Sequence, residues 1–354
     1  MKALVTGGAG FIGCNLADRL ASQGAEVIVF DALARPGVER NLAWLLERHG
    51  PAITPLIADV RDAVAVKDAA TGVDAIFHLA AQVAVTTSLV DPLDDFDVNI
   101  RGTLNVLEAA RPRRVPVIFA STNKVYGDLA DVRLELANEA YRPCDPALRA
   151  GGVDEGRPLD FHTPYGCSKG AADQYVLDYA RSFGTPTCVL RMSCIYGPRQ
   201  MGTEDQGWVA HFGRAMLRGE PLTIYGDGCQ VRDVLWIDDL VRLMRLAMEK
   251  IDTVSGEVFN VGGGERNAVS VRGVIERLRE ITGADVPVTR ADWRPGDQKI
   301  YVSDTSKAER VLGWKPETSW QAGLEKLAGW LEEANLDTPS PARAVAAGPA
   351  LAAR

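Results

Sequence analysis

The feature that most constrains the fold of this chain is a run of small residues near its start, Val5-Thr6-Gly7-Gly8-Ala9-Gly10-Phe11-Ile12-Gly13. It joins a short apolar stretch, ALVT, to a stretch of helical length. Gly8, Gly10 and Gly13 fit the spacing G-x-G-x-x-G, and Gly7, Gly10 and Gly13 fit G-x-x-G-x-x-G. Glycines so spaced let a backbone turn tightly out of a strand, approach a pyrophosphate and seat a helix against the strand, while the helix N-terminus attracts the anion. Asp31 ends the second apolar stretch, EVIVFD, 18 residues after Gly13. An acid there accepts hydrogen bonds from both ribose hydroxyls and repels a 2′-phosphate, so the pattern predicts NAD rather than NADP. Asp59, at the end of the third stretch, is a candidate adenine contact.

Further apolar runs at 53–58, 74–80, 115–120 and 187–191 alternate with stretches of helical length, one of them marked by Phe96, Ile100, Leu104 and Leu107. That alternation predicts an α/β fold, a Rossmann-like doubly wound parallel sheet covered on both faces. After residue 193, Gly and Pro punctuate shorter elements, with strands at 221–226 and 257–262 and helices near 237–250 and 270–282. The expected division is a cofactor domain over 1–192 with a return segment at about 230–262, and a smaller mixed α/β substrate domain from 193–229 and 263–336. Residues 337–354, Ala- and Pro-rich without periodicity, are expected to be disordered.

The 354 residues carry 39 Lys and Arg against 47 Asp and Glu, a net charge of −8, which argues against nucleic acid or an anionic membrane as a partner. No apolar run is long enough to span a bilayer, and the N-terminus leaves no room for a signal peptide. The six cysteines form no C-x-x-C pair and the four histidines show no metal-ligand spacing, so reduced thiols, a cytoplasmic location and no metal are expected.

Of the eight tyrosines only Tyr165 has a lysine four residues on, Lys169. On a helix the two share a face. An ammonium beside a phenol, with a nicotinamide cation near, lowers the tyrosine from about 10 toward working pH and makes it a general base for a sugar hydroxyl. Thr122, at the end of the strand Phe119-Ala120-Ser121-Thr122, would hold the reacting oxygen.

With TGGAGFIG, HLAAQVA, NIRGT, STNKVYG, PYGCSK, GDGCQVRDV and RPGD, the chain resembles the extended short-chain dehydrogenase/reductase family of nucleotide-sugar enzymes over about residues 1–335. The stretches STNKVYGDL, LDFHTPYGCSKGAADQY and DQGWV are most similar to members that invert C2 of a CDP-linked sugar. The resemblance implies that Gly7, Gly10, Phe11, Ile12 and Gly13 surround the cofactor diphosphate and that Asp31 holds the ribose. It places Asp59 and Val60 by the adenine, with Leu79, Ala80, Ala81 and Asn99 along the cofactor. Thr122, Tyr165 and Lys169 would do the chemistry. Asn123, Lys124, Cys194, Arg199, Gln206 and Asp297 would face the substrate, and Arg232 and Arg294 would clamp its diphosphate. Cys194 stands where the family usually has an asparagine. The resemblance also implies a homodimer pairing through helices 94–110 and 166–183.

Residues 123 and 124 bear on the reaction. Family members that are 4,6-dehydratases carry an Asp-Glu pair at this turn, and related decarboxylases keep a Glu. Asn123 and Lys124 cannot do carboxylate acid–base work. Transient oxidation and return of the hydride to the other face remains, giving an epimerase. A 4-epimerase, a 4,6-dehydratase and a non-catalytic NAD-binding regulator stay as alternatives.

Overall fold

The chain was analysed as a computed structural model that describes residues 1–334, so the expected tail at 337–354 lies outside it. Its frame is a seven-stranded parallel sheet. Strands β1 (Lys2–Thr6), β2 (Glu26–Asp31), β3 (Ile53–Ile57), β4 (Ala75–His78) and β5 (Val117–Thr122) are joined by Thr187–Met192 and Glu257–Val261. From one edge the order is Glu257–Val261, Thr187–Met192, β5, β4, β1, β2, β3. The strand order reverses between β1 and β4, and the crevice at such a point is where doubly wound sheets bind ligands.

Burial explains the strand sequences. All six residues of β5 are buried, whereas β3, at the sheet edge, is largely exposed. One face packs Ala3, Val5, Val27, Val29 and Phe77 against helices α1 (Phe11–Ser22), α2 (Val38–His49) and Ile237–Glu249. The other packs Leu4, Ile28, Phe30 and Ile76 against Val66, Val106 and Ala110. Beyond the sheet, Leu222–Tyr225 pairs in parallel with Val288–Ala291, and Val231–Asp233 lies between Ala268–Ser270 and Ile300–Tyr301. These short ladders and the helices Trp208–Leu217, Val271–Thr282 and Trp320–Glu333 form a second layer over the carboxyl ends of the strands.

One expected element takes a different form. The 94–110 stretch is not a regular helix: an α-helix at Pro92–Phe96 passes through a π-turn at Asp97–Arg101 into an α-helix at Gly102–Ala110. Of the apolar stripe, Leu107 is buried, Ile100 and Leu104 are half-buried, and Phe96 is 46% exposed. The inward face at this level is polar instead, made of buried Asp95, Asn99 and Thr103. The Thr103 hydroxyl donates to the Asn99 carbonyl (2.6 Å) and meets His78 Nε2 at 3.0 Å. The extra residue in the turn breaks the regular helical register between Phe96 and Gly102.

Candidate active site

A cavity of about 880 Å³ runs from the glycine turn, past the ends of β1, β4 and β5, to the second layer. The glycines divide the work at its closed end. Gly7 has φ +68°, and a Cβ there would lie 2.7 Å from the Ala80 nitrogen. At Gly13 a Cβ would lie 2.2 Å from the Gly7 carbonyl oxygen, so helix α1 sits directly on the turn. At Gly10 the added atom would meet only the Gly7 oxygen, at 3.1 Å. Gly10 caps α1 with no side-chain hydrogen bond, and the first helical turn carries no acid. Its free N–H groups and the helix dipole therefore suit a diphosphate.

Asp31 accepts from the Ala9 nitrogen (3.0 Å) and the Leu33 nitrogen (2.8 Å), which ties the glycine turn to the end of β2. Burial pushes its carboxyl up, and these backbone bonds oppose the shift. Asp59 is engaged differently. The Arg61 guanidinium grips both its oxygens (3.0 and 2.6 Å) and also reaches Asp94, and this pairing holds the Asp59 carboxyl below the usual range. Val60 lines the cavity beside it, with Phe11, Ile12, Leu79, Ala80 and Ala81. Donor geometry, open cradle and acid at the strand end thus fit a dinucleotide.

Thr122, Tyr165 and Lys169 come together on the floor of the cavity. The helix Thr163–Phe183 brings the tyrosine and lysine, and β5 brings the threonine, whose hydroxyl donates to Asn123 Oδ1 (3.4 Å) and accepts from the Lys124 nitrogen (3.2 Å). Lys169 is 3% exposed; its ammonium donates to the Ala120 carbonyl (2.7 Å) and lies 4.3 Å from the Phe119 ring centroid. Burial pulls this lysine down to about 7, against the fields of Asp173 and Asp95. In the protein without cofactor, burial pushes the Tyr165 phenol up to about 12, with Thr122 opposing and the field of Asp95 adding to the rise. Behind the dyad, Asp173 holds Arg191 through two bonds of 2.9 Å and accepts from Ser121 (2.7 Å), while Arg191 also reaches the Tyr126 hydroxyl (3.0 Å). This buried set locks β5, the catalytic helix and the neighbouring strand together.

Across the cavity, Asn123 donates to Gln298 Oε1 (3.0 Å). Lys124 donates to the Gly296 carbonyl (3.0 Å) and stands 3.7 Å from Asp297, and burial draws it down to about 8. Arg232 bonds Asp297 (2.7 Å) and the Gln298 carbonyl (2.6 Å). Arg294 stacks 3.7 Å from the Tyr225 ring centroid, bonds the Glu204 carbonyl and pairs with Asp205 at 3.3 Å. Cys194, Arg199 and Gln206 line the same cavity. Arg199 has φ +68° and lies 3.9 Å from the Trp44 ring centroid.

Asn99 is the expected site residue that does not line the cavity. It is buried behind the wall, where Oδ1 accepts from the Gln82 nitrogen (3.0 Å) and Nδ2 donates to Ser168 (3.0 Å) and Asp95 (3.2 Å). The π-turn sets it back from the surface. Arg35 lines the cavity without any motif to announce it. Outside the cavity the fold gathers Asp128, Asp160 and His162, dispersed in the sequence, with their ligand-type atoms within 4.8 Å of one another. No helix among the described residues is long and apolar enough to cross a membrane.

The sequence model of the NAD dependent epimerase/dehydratase family matches residues 3–262. CDP-paratose 2-epimerase of Salmonella typhi is 42% identical over 93% of this chain and 99% of its own length. The dTDP-glucose 4,6-dehydratase of Shigella flexneri is 32% identical over 93% of this chain and 92% of its own. Among solved structures, UDP-glucose 4-epimerase of Thermotoga maritima with UDP-glucose superposes with a TM-score of 0.82 at 34% identity, covering 94% of this chain and 99% of that one. The UDP-glucose 4-epimerase of Thermus thermophilus in complex with NAD gives 0.79 at 31% identity, covering 94% and 100%. A glycine turn built for a diphosphate and a tyrosine–lysine pair on the cavity floor thus stand in a chain that belongs to the NAD-dependent epimerase/dehydratase family of nucleotide-sugar enzymes.

Proposed function

We propose that the protein is a nucleotide-sugar epimerase that inverts C2 of a CDP-linked sugar, as between CDP-paratose and CDP-tyvelose, by transient oxidation and re-reduction on the opposite face. The observation that carries the epimerase reading is the turn after β5. Asn123 and Lys124 form its wall, and the acid that meets them, Asp297, is already shared by Lys124 and Arg232. Among the described residues no uncommitted carboxylate faces Thr122 there to take a carbon-bound proton or protonate a departing hydroxyl, as dehydration requires. The choice of C2 and CDP rests on the 42% identity to CDP-paratose 2-epimerase.

In this mechanism Gly7, Gly10, Gly13 and Asp31 hold the dinucleotide, and Thr122 hydrogen-bonds the reacting hydroxyl. NAD, when bound, would supply a reversible hydride acceptor for the ring carbon and a positive charge that favours the phenolate. Tyr165 takes the hydroxyl proton on oxidation and returns it on reduction, with the Lys169 ammonium stabilising its anion. Arg232 and Arg294 keep the diphosphate in place while the keto sugar turns. Residues 1–192, with the return segment at about 230–262, form the cofactor domain in this reading, and the second layer holds the nucleotide sugar. Asn99 acts from behind the wall. A cytoplasmic location is consistent with six unpaired thiols.

The second reading, a 4-epimerase of the UDP-glucose type, is favoured by the superposition on two such enzymes. Isotope labelling separates them. A C2-deuterated CDP-sugar should keep its label at C2 in the product when followed by NMR, and no solvent deuterium should enter there in D₂O. Sensitivity to a C4 label alone would favour the 4-epimerase, and solvent exchange at C2 would refute transient oxidation.

We also propose a homodimer. Val90 (86% exposed), Leu93 (76%) and Phe96 (46%) stand on the outer side of the segment that packs against the catalytic helix, an apolar area large for a lone surface.

A further inference from the structure

We propose that Asp95 is the buried counter-charge of the catalytic pair, a positioning residue that keeps the Lys169 ammonium charged in a dry site. The inference rests on the reading of Tyr165 and Lys169 given above. Asp95 is 0% exposed, yet no cation bonds it. One oxygen accepts from Gln82 Nε2 (3.0 Å) and Asn99 Nδ2 (3.2 Å), and the other has no hydrogen-bond partner. A buried carboxylate left half satisfied is costly and calls for a compensating field. Lys169 is the complementary case, a buried ammonium whose hydrogen-bond partner is a neutral carbonyl.

The charges around the pair can be enumerated. From its own helix Lys169 faces Asp173, but that carboxylate is gripped by Arg191, so much of its field is cancelled. From β4 it faces His78, which burial holds neutral by pulling it down to about 3. From β5 it faces the Ala120 carbonyl. From the 92–96 helix comes Asp95, tied through Asn99 to Ser168 beside the lysine; burial pushes its carboxyl up while the field of Lys169 opposes the shift, and the adjacent Asp94 is turned outward and paired with Arg61. Asp95 is therefore the one of these carboxylates that is uncommitted to another cation. Its field acts on both members, favouring the ammonium of Lys169 and opposing the phenolate of Tyr165. The same residue anchors the site mechanically: Asn99 carries the network on to Ser168, one residue before the lysine, and Gln82 carries it to the cavity wall.

The test follows the lysine itself. With ¹³C-labelled lysine, the Lys169 Cε resonance is assigned by its absence in Lys169→Met and titrated in folded wild type, Asp95→Asn and, as a surface control, Asp97→Asn. The midpoint should fall by on the order of one pH unit in Asp95→Asn and stay put in Asp97→Asn. In turnover assays the alkaline limb of kcat should move down in parallel, with KM for the sugar little changed. If Asp95→Asn fails to fold, Asp95→Ser replaces it. An unmoved midpoint in a folded variant overturns the inference, whatever the loss in kcat. Near-normal turnover by Lys169→Met instead overturns the underlying catalytic reading.

Discussion

Alanine at Gly13 and alanine at Gly10 add the same methyl group to the same turn, three residues apart, and should do opposite things. At Gly13 the new carbon would lie 2.2 Å from the Gly7 oxygen, 2.7 Å from Gly8 Cα and 2.9 Å from the Gly7 carbonyl carbon. All three are backbone atoms, so no side-chain rotation relieves the clash, and α1 must move off β1. Overpacking of this kind costs about 3 kcal/mol, which lowers Tm by about 4 °C for a chain of this size. At Gly10 the only contact is the Gly7 oxygen at 3.1 Å, and φ −65° with ψ 174° is open to any residue. The fold should lose about 1 kcal/mol, mainly the poorer helix cap, or about 1 °C. The methyl would instead stand where a diphosphate approaches, so NAD affinity should fall about 10- to 100-fold, about 1.4 to 2.8 kcal/mol. Calorimetric melting of cofactor-stripped protein reads the first effect, and titration with NAD the second. If Gly10→Ala melts as low as Gly13→Ala, or Gly13→Ala melts with the wild type, the division of labour among the glycines is wrong.

Tyr165→Phe should lose on the order of 10² to 10⁴ in turnover while NAD is retained and Tm is unchanged; near-normal turnover excludes the phenol as base. Asp31→Ala should weaken NAD and narrow its advantage over NADP, measured as a ratio of dissociation constants, with some loss of Tm because the Ala9 and Leu33 bonds go as well. Asp233, buried against Ser193, Ser303 and Gly264, is pushed up to about 6 by desolvation. The folded state then binds its proton more tightly than the unfolded state. Its contribution should decline by up to about 3 kcal/mol as pH rises from about 4 to 6 and level off above. Melting of wild type and Asp233→Asn across that window checks the sign: the wild type should lose ground to the variant as pH rises. Leu93→Glu with Phe96→Asp should convert the proposed dimer to monomers in sedimentation velocity without lowering helix content.

The local parts of this molecule were legible because they are set by neighbours in sequence. The strand read as EVIVFD coincides with Glu26–Asp31, and the tyrosine–lysine spacing lands on one helix. Spacing could not tell the two glycine patterns apart; neither Gly7 nor Gly8 has room for a Cβ, and of the two only Gly7 has a positive φ. Side chains whose partners lie far away stayed hidden. Asn123 is held by Gln298, 175 positions on, and no local pattern encodes that meeting. The stripe Phe96, Ile100, Leu104, Leu107 misled because periodicity assumes a regular helix, and a π-turn rotates everything after it. Asp95 and Asn99, four residues apart, lie on the inner face, where an apolar pattern had directed attention elsewhere. The lowering expected of Tyr165 depends on a nicotinamide cation as well as Lys169; in the protein alone, burial dominates both groups.

Asp297 has a consequence for turnover as well as for shape. Arg232 and Lys124 are already bound to an anion of the protein's own, and Arg294 likewise to Asp205. Such a site works as an ion exchanger. If these cations hold the substrate diphosphate as proposed, it would displace internal carboxylates instead of meeting bare cations, and those carboxylates are tethered and ready to reclaim their places. Affinity should then depend on ionic strength less steeply than the cations lining the cavity suggest. In the proposed epimerase the exchange would run backwards as readily, letting a doubly charged product leave although two epimers of similar energy provide little force to push it out.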